Sequence, residues 1–292
     1  MIFLLILCVD RFSYHLSIER QLSPNTVASY SSEVEAFLAY LKVRPEECGS
    51  DDVESYLASR AGELGKRSQA HALSALRSYF DFLVLEGERK DNPCDAVDAP
   101  KLGRYLPEVL SVEEVTAILE AVPLNGSVGL RDRAILEVLY GCGLRVSEAC
   151  GLLISHIDFE RFFVRVVGKG DKERLVPIGQ PALDALSAWF EVRPVPAPEF
   201  ADYAFLNRFG EPLSRVSVFN MVRKRALEAG VRKSISPHTF RHSFATHLVE
   251  NVADLRVVQE MLGHESVLTT EIYTHIDSRT WQAEVLSHHP RR

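Results

Sequence analysis

The sequence predicts a mainly α protein in two domains, an N-terminal four-helix bundle and a C-terminal mixed α+β domain with a small antiparallel sheet. Three observations point there. Apolar residues recur at helical spacing over most of the chain. A proline-bearing stretch with little periodicity, 91–107, interrupts them and reads as a linker. Beyond it, 162–167 and 173–178 read as two strands joined by Gly168-Lys169-Gly170-Asp171, a hairpin with Lys169 at its tip. A chain of 292 residues is long enough for two domains, each with its own core. The expected boundaries are therefore 1–90, 91–107 and 108–292.

In the first domain the opening nine residues are apolar, far short of the roughly 20 that a membrane span needs. They lack a basic start and a small-residue cleavage site, so they read not as a signal peptide but as an odd first turn of helix, or as the product of a start codon placed slightly upstream. Ser23-Pro24-Asn25-Thr26 caps a long helix through Tyr30, Val34, Phe37, Leu38 and Leu41. Ser50-Asp51-Asp52 caps a third helix with Val53, Tyr56 and Leu57. A fourth, 68–85, carries Leu73, Leu76, Tyr79, Phe80 and Leu83 as its stripe. Four such helices make a small bundle.

In the second domain Ser111 caps a helix with Val115 and Leu119 on one face. The next, 129–140, buries Ala134, Ile135, Val138 and Leu139. Gly141-Cys142-Gly143-Leu144-Arg145-Val146-Ser147-Glu148 is a glycine-broken junction, with Arg145 expected in the first turn of the helix that follows. From Pro181 the pattern is helical again, apart from a proline-rich break at 192–198. Leu262-Gly263-His264 reads as a helix end with a glycine cap, and Ser266 as the cap of a helix carrying Tyr273. The segment 278–286, with Trp281, Val285 and Leu286, is too short to be a stable helix alone and must bury its apolar side elsewhere.

Five scattered cysteines without a CxxC pair argue for reduced thiols in the cytoplasm, not a disulfide framework or a zinc site. The formal charge of -7 weighs against a polyanionic partner, but local distribution matters more than the sum. Between 207 and 241 stand eight basic residues, Arg208, Arg215, Arg223, Lys224, Arg225, Arg232, Lys233 and Arg241, against Glu211 and Glu228. The part up to Arg104 is acidic, so a nucleic-acid contact there falls to one local face, with Lys66, Arg67 and Arg77 as candidates.

The most distinctive stretch is Ser236-Pro237-His238-Thr239-Phe240-Arg241-His242-Ser243-Phe244-Ala245-Thr246-His247-Leu248. Ser236 suits an N-cap and Pro237 the first helical position. Phe240, Phe244 and Leu248 bury one face, while His238 and Arg241, three apart, share another. A helix N-terminus with an Arg and a His suits a phosphate oxyanion. Arg145, Lys169, His264 and Tyr273 add polar groups in distinct local settings. Taken singly, each also reads as a surface charge, a turn residue or a half-buried aromatic.

Together Gly143-Leu144-Arg145-Val146-Ser147-Glu148, Gly168-Lys169-Gly170, His238-Thr239-Phe240-Arg241-His242, Leu262-Gly263-His264 and Ile272-Tyr273-Thr274-His275 resemble the tyrosine recombinase (phage integrase) family in order and spacing, and within it the Xer subgroup. Phe240 stands where the family more often has leucine, and Val252 where a glycine is common. The resemblance implies that 1–90 is a SAM-like core-binding domain and 108–292 the catalytic domain. It implies a site-specific recombinase that cuts and rejoins DNA through a covalent 3′-phosphotyrosyl intermediate and a Holliday junction, without metal, ATP or other cofactor. Arg145, Lys169, His238, Arg241, His264 and Tyr273 are the implied catalytic residues, and Lys66, Arg67, Arg77, Arg223, Lys224 and Arg225 the candidate DNA contacts. The implied partners are a double-stranded core site, a related recombinase in a cyclic tetramer, and a septal DNA translocase. Chromosome-dimer resolution at cell division is the implied role, with the tail at 278–286 docking on a neighbouring subunit. Alternatives are a phage or transposon integrase, a non-catalytic DNA-binding relative, and a metal-dependent hydrolase using His238, His242 and His247.

Overall fold

The computed structural model describes residues 2–100, 108–168 and 172–250, with side chains from Cys8 onward. The chain divides into two compact units, Met1–Tyr105 and Leu106–Arg292.

The first unit is built on helices α1 (Ile2–Tyr14), α2 (Pro24–Tyr40), α3 (Ser50–Ser59) and α4 (Lys66–Leu85). The apolar opening is thus part of a full helix and not a single turn. Ser23 Oγ accepts the Thr26 N–H at 3.3 Å, and Pro24 opens α2 as expected. The cap of α3 differs: Gly49, not Ser50, is the N-cap, and the Asp52 carboxylate accepts the Gly49 N–H at 2.9 Å. Asp52 thereby satisfies an orphan donor and complements the helix dipole. Helix α4 starts two residues earlier than the periodicity suggested, because Lys66 and Arg67 form an exposed first turn that carries no apolar signal. All five residues of its expected stripe are buried. Phe12, Phe37, Tyr56, Tyr79 and Phe80 meet largely edge to face at the centre, the arrangement that aromatic quadrupoles favour.

The expected linker opens too early. Asn92 donates to Asp81 Oδ1 at 2.7 Å and to the Arg77 carbonyl at 3.0 Å. Cys94 is fully buried, and Val97 joins the same core. Proline here opens a turn without ending the domain: Pro93–Ala96 is a 3-10 turn, capped by Asn92 and packed against α4.

The second unit comprises α5 (Val112–Glu120), α6 (Ser127–Gly141), α7 (Val146–Cys150), β1 (Ile157–Asp158), β2 (Phe163–Val167), β3 (Glu173–Pro177), α8 (Gln180–Phe190), α9 (Arg215–Glu228) and α10 (Pro237–Glu250). Ser111 caps α5 in a reciprocal box, accepting the Glu114 N–H while Glu114 accepts the Ser111 N–H. The sheet is antiparallel in the order β1-β2-β3, with Val164 opposite Val176 and Val166 opposite Arg174. The two-residue β1 is too short to leave a periodic signal in the sequence. One face is buried, through Val164, Val166, Arg174 and Val176, while Arg165, Val167, Glu173 and Leu175 face outward. Arg174 is thus a charge on the core side of the sheet.

Helix α6 is the spine. Residues 134–140 are all buried, and so is Asp132. Asp132 Oδ2 accepts Arg225 Nε at 3.0 Å and Nη2 at 2.6 Å, joining α6 to α9. Asp132 Oδ1 accepts Arg131 Nη2 at 2.9 Å, and Arg225 also pairs with Glu228 at 2.8 Å. A buried pair is costly to break from one side, since an uncompensated charge remains. Asp132→Ala is therefore expected to destabilise the chain by about 3 kcal/mol, the low end for a broken buried pair because Glu228 still faces Arg225. Urea denaturation measures this, and a midpoint equal to wild type contradicts it.

Candidate active site

The site is assembled where α6 hands over to α7. Gly143 has φ +58°, a left-handed conformation that glycine adopts without strain, and so turns the chain sharply. Arg145 then stands as the N-cap of α7 in extended conformation, φ −68° and ψ 150°, and not in the first turn as expected. The expectation missed by one residue because the glycine break hides where helical dihedrals begin.

Glu148, at the third position of α7, folds back over this junction. Its Oε2 accepts the Arg145 N–H at 2.8 Å, and its Oε1 accepts Arg145 Nη1 at 2.8 Å. From β3, Arg174 meets the same carboxylate as a two-pronged fork, Nη1 on Oε1 at 2.8 Å and Nη2 on Oε2 at 2.9 Å. From α10, Arg241 brings Nη1 to 3.9 Å from Oε2 and donates that group to the Gly143 carbonyl at 2.6 Å. Three guanidinium groups thus surround one carboxylate whose side chain is 4% exposed.

The electrostatics follow. Burial pushes the Glu148 carboxyl up, but hydrogen bonds from Arg174 and the Arg145 backbone outweigh it and hold the group below its ordinary value. Burial, then the nearby Arg145 charge, lowers Arg241 to about 10, so it stays cationic near neutrality. Positive charge in excess of the single carboxylate is what an oxyanion site requires, and guanidinium forks match phosphate oxygens two at a time. Arg145 is half-exposed, with 40% of its side chain open to solvent.

Helix α10 is seated from several sides. Phe240, Phe244 and Leu248 are fully buried, as their spacing predicted. Ser236 Oγ accepts the Thr239 N–H at 3.3 Å. Ser243 Oγ accepts the Leu110 N–H at 2.9 Å and donates to the Thr239 carbonyl at 2.8 Å. His247 Nδ1 lies 2.9 Å from the Tyr140 hydroxyl. His238 and Arg241 share the opening of the helix but differ in setting: His238 is exposed and Arg241 is buried.

Of the six residues singled out, Arg145, His238 and Arg241 are described, and the first and last of these meet around Glu148. Lys169, His264 and Tyr273 lie outside the described residues, and so do the expected hairpin tip, the expected helix end at Gly263, the expected cap at Ser266 and the expected tail helix at 278–286. Among the candidate DNA contacts, Lys66 and Arg67 are exposed at the start of α4. Arg77 is half-buried and donates to the Cys94 carbonyl at 2.9 Å. Arg223 and Lys224 are exposed on α9, Arg223 lying 5.8 Å from the Phe219 ring centre and Lys224 3.8 Å from Glu228. Arg225 is a correction: it is 5% exposed and bound to Asp132 and Glu228, so it faces the core and not a ligand. Helical rotation of about 100° per residue carries it away from its two neighbours.

The histidines His238, His242 and His247 do not converge, since His247 is buried against Tyr140. Among the described residues no three His, Cys, Asp or Glu side chains come together as metal ligands. Glu148 and Arg174 were not recognised as site residues from sequence. A signal existed for Arg174, because the alternation of β3 places it on the same face as Val176.

Comparison with known proteins agrees with this architecture. The sequence profile of the phage integrase family matches residues 108–279, and that of the phage integrase N-terminal SAM-like domain matches residues 9–87. The chain belongs to the phage integrase family, the tyrosine recombinases, which cut and rejoin DNA. It is 46% identical to tyrosine recombinase XerD of Chlorobaculum tepidum, over 97% of this chain and 96% of that protein. It is 41% identical to tyrosine recombinase XerC of Escherichia coli O157:H7, over 97% and 96% respectively. A lambda integrase tetramer bound to a Holliday junction has the same fold, with a TM-score of 0.70 at 20% identity, covering 91% of this chain and 79% of that one.

The seat of α10 makes stability depend on pH. Burial lowers the His247 imidazole below its ordinary value, so the unfolded chain takes up its proton first as pH falls. The stability contributed by neutral His247 is complete above the unfolded value of about 6.5 and declines below it. Unfolding free energy measured from pH 7 to 5.5 is expected to fall more steeply in wild type than in His247→Gln. Equal slopes contradict the assignment.

Proposed function

We propose that this chain is a site-specific recombinase of the XerD type that resolves chromosome dimers at cell division, acting in the cytoplasm. Its target is a double-stranded core site made of two half-sites. It works there in a cyclic tetramer with a related XerC-like recombinase, activated by a DNA translocase at the septum. The reading is supported by the similarity to XerD and XerC over nearly the whole chain. The observation that carries it is the arginine cluster around Glu148.

The proposed chemistry follows from the residue types. The Tyr273 hydroxyl attacks the scissile phosphorus, forming a Tyr–O–P bond as the P–O5′ bond breaks. Arg145 and Arg241 bind the non-bridging oxygens and stabilise the charge of the pentacoordinate state. His238 and His264 donate further hydrogen bonds and move protons. Tyr273, with an ordinary pKa of about 10, needs such help to ionise. Lys169 protonates the departing 5′ oxygen. The phosphotyrosyl link conserves the bond energy, so a second strand's 5′ hydroxyl can reverse the step. Lys66, Arg67, Arg223 and Lys224 are the proposed backbone contacts, and the 278–286 tail couples neighbouring subunits.

Covalent capture tests this and recovers the target sequence in the same step. Purified protein is incubated with fragmented DNA of its own source, and SDS-resistant adducts are sequenced. One short recurrent sequence is expected. Tyr273→Phe is expected to give no adduct, and Arg145→Ala or Arg241→Ala to slow its formation by about 10²–10³, as for loss of a preorganised donor. An adduct formed by Tyr273→Phe contradicts the assignment.

A further inference from the structure

Arg174 is the guanidinium of the cluster that comes from the sheet, and no role in the proposed chemistry falls to it. It is 8% exposed and sits on the core face of β3 among Val164, Val166 and Val176. A charge there is unfavourable unless bound, and its fork is bound to Glu148 by both Nη atoms.

The acceptor capacity of Glu148 shows what that fork does. A carboxylate offers about four acceptor positions. Arg145 takes one on each oxygen, through its N–H and its Nη1. Arg174 takes another on each. Arg241 stands 3.9 Å from Oε2, within ion-pair range but beyond hydrogen-bond range, and its Nη1 bonds the Gly143 carbonyl. With Arg174 removed, the nearest buried cation among the described residues able to fill the vacated positions is Arg241.

We propose that Arg174 is a positioning residue for strand cleavage: by saturating Glu148 from β3 it keeps Arg241 a neighbour of that carboxylate and not its hydrogen-bonded partner, which directs the positive charge of Arg241 to the phosphate. This rests on the recombinase reading. It also gives the register of β3 a consequence, because a slip of one residue moves Arg174 to the outer face. The depressed carboxyl of Glu148, in which Arg174 is the leading favourable contributor, agrees with this.

A role as mere glue between the sheet and α7 makes a different prediction, and Glu148→Gln separates the two. If Arg174 restrains an attraction between Glu148 and Arg241, neutralising Glu148 removes the attraction and repairs the Arg174 variant. If Arg174 only ties β3 to α7, that change adds a second defect. The experiment uses a nicked duplex of the sequence recovered by covalent capture, with half-site affinity and single-turnover adduct formation measured side by side. Arg174→Met is expected to bind the half-site about as wild type does and to form adduct about 10²-fold more slowly, the scale of a slightly misplaced group. Arg174→Met with Glu148→Gln is expected to recover about tenfold, as for directly coupled neighbours. Wild-type cleavage by Arg174→Met overturns the proposal, and so does a double variant no faster than the single. If Arg174→Met does not fold, Arg174→Lys keeps the buried charge without the fork. Slower cleavage relieved by Glu148→Gln supports the proposal, and wild-type cleavage by Arg174→Lys overturns it. A wild-type chain that forms no adduct removes the recombinase reading and this proposal together, which distinguishes that failure from the others.

Discussion

The carboxylate of Glu148 is the interaction on which the described part of the site depends. It draws together residues from three elements distant in sequence: Arg145 at the α7 N-cap, Arg174 on β3 and Arg241 on α10. Guanidinium groups lose hydration on burial and repel one another, and Arg241 is lowered first by its burial and then by the charge of Arg145. A cluster of such groups therefore needs a counter-charge held in place, and a helix supplies one cheaply. Glu148 already belongs at the third position of α7, where a carboxylate satisfies the N-cap amide and complements the dipole. The same oxygens then serve the arginines. Local helix capping and long-range charge organisation are here one device.

That device works only if the elements around it are fixed. Helix α6 leads into Gly143 and is held to α9 by Asp132 and Arg225. Helix α10 is seated by apolar residues on one side and by Ser243 and His247 on others. Both arrangements bury polar groups, and both provide the partners that make such burial tolerable. The consequence for function is directional. With Arg225 turned into the core, Arg223 and Lys224 lie on the outer side of α9. In a chain of formal charge -7, burial of Arg225 against Asp132 thus leaves Arg223 and Lys224 as the exposed cations of that basic run.

Much of this was legible in the sequence, for identifiable reasons. The helices of the first unit announce themselves through periodicity, and Ser23, Ser111 and Ser236 through capping chemistry. The stripe Phe240, Phe244 and Leu248 foretold which face of α10 is buried. Several of the errors share a cause, a tertiary contact that overrides a local signal, whereas the starts of α3, α4 and α7 were misplaced for local reasons. Proline and asparagine at 92–93 look like a linker, but Asn92 finds Asp81 across the bundle. Arg225 looks like its two basic neighbours, but only a partner on α6, 93 residues away, decides that it is buried. Glu148 was visible as part of a motif, but its role was not, since three arginines far apart in the chain converge on it only when the second unit folds. The two-residue β1 exists because β2 is there to pair with it.

Glu148 is an ionised carboxylate saturated by arginines within a buried site. The most direct test is the titration of its own carboxyl carbon by 13C NMR, assigned by the signal lost in Glu148→Gln. A midpoint below the ordinary glutamate value of about 4.3 is expected, with the chain still folded at the start of the transition. A midpoint at or above that value would mean that burial dominates and that the arginines do not hold the carboxylate.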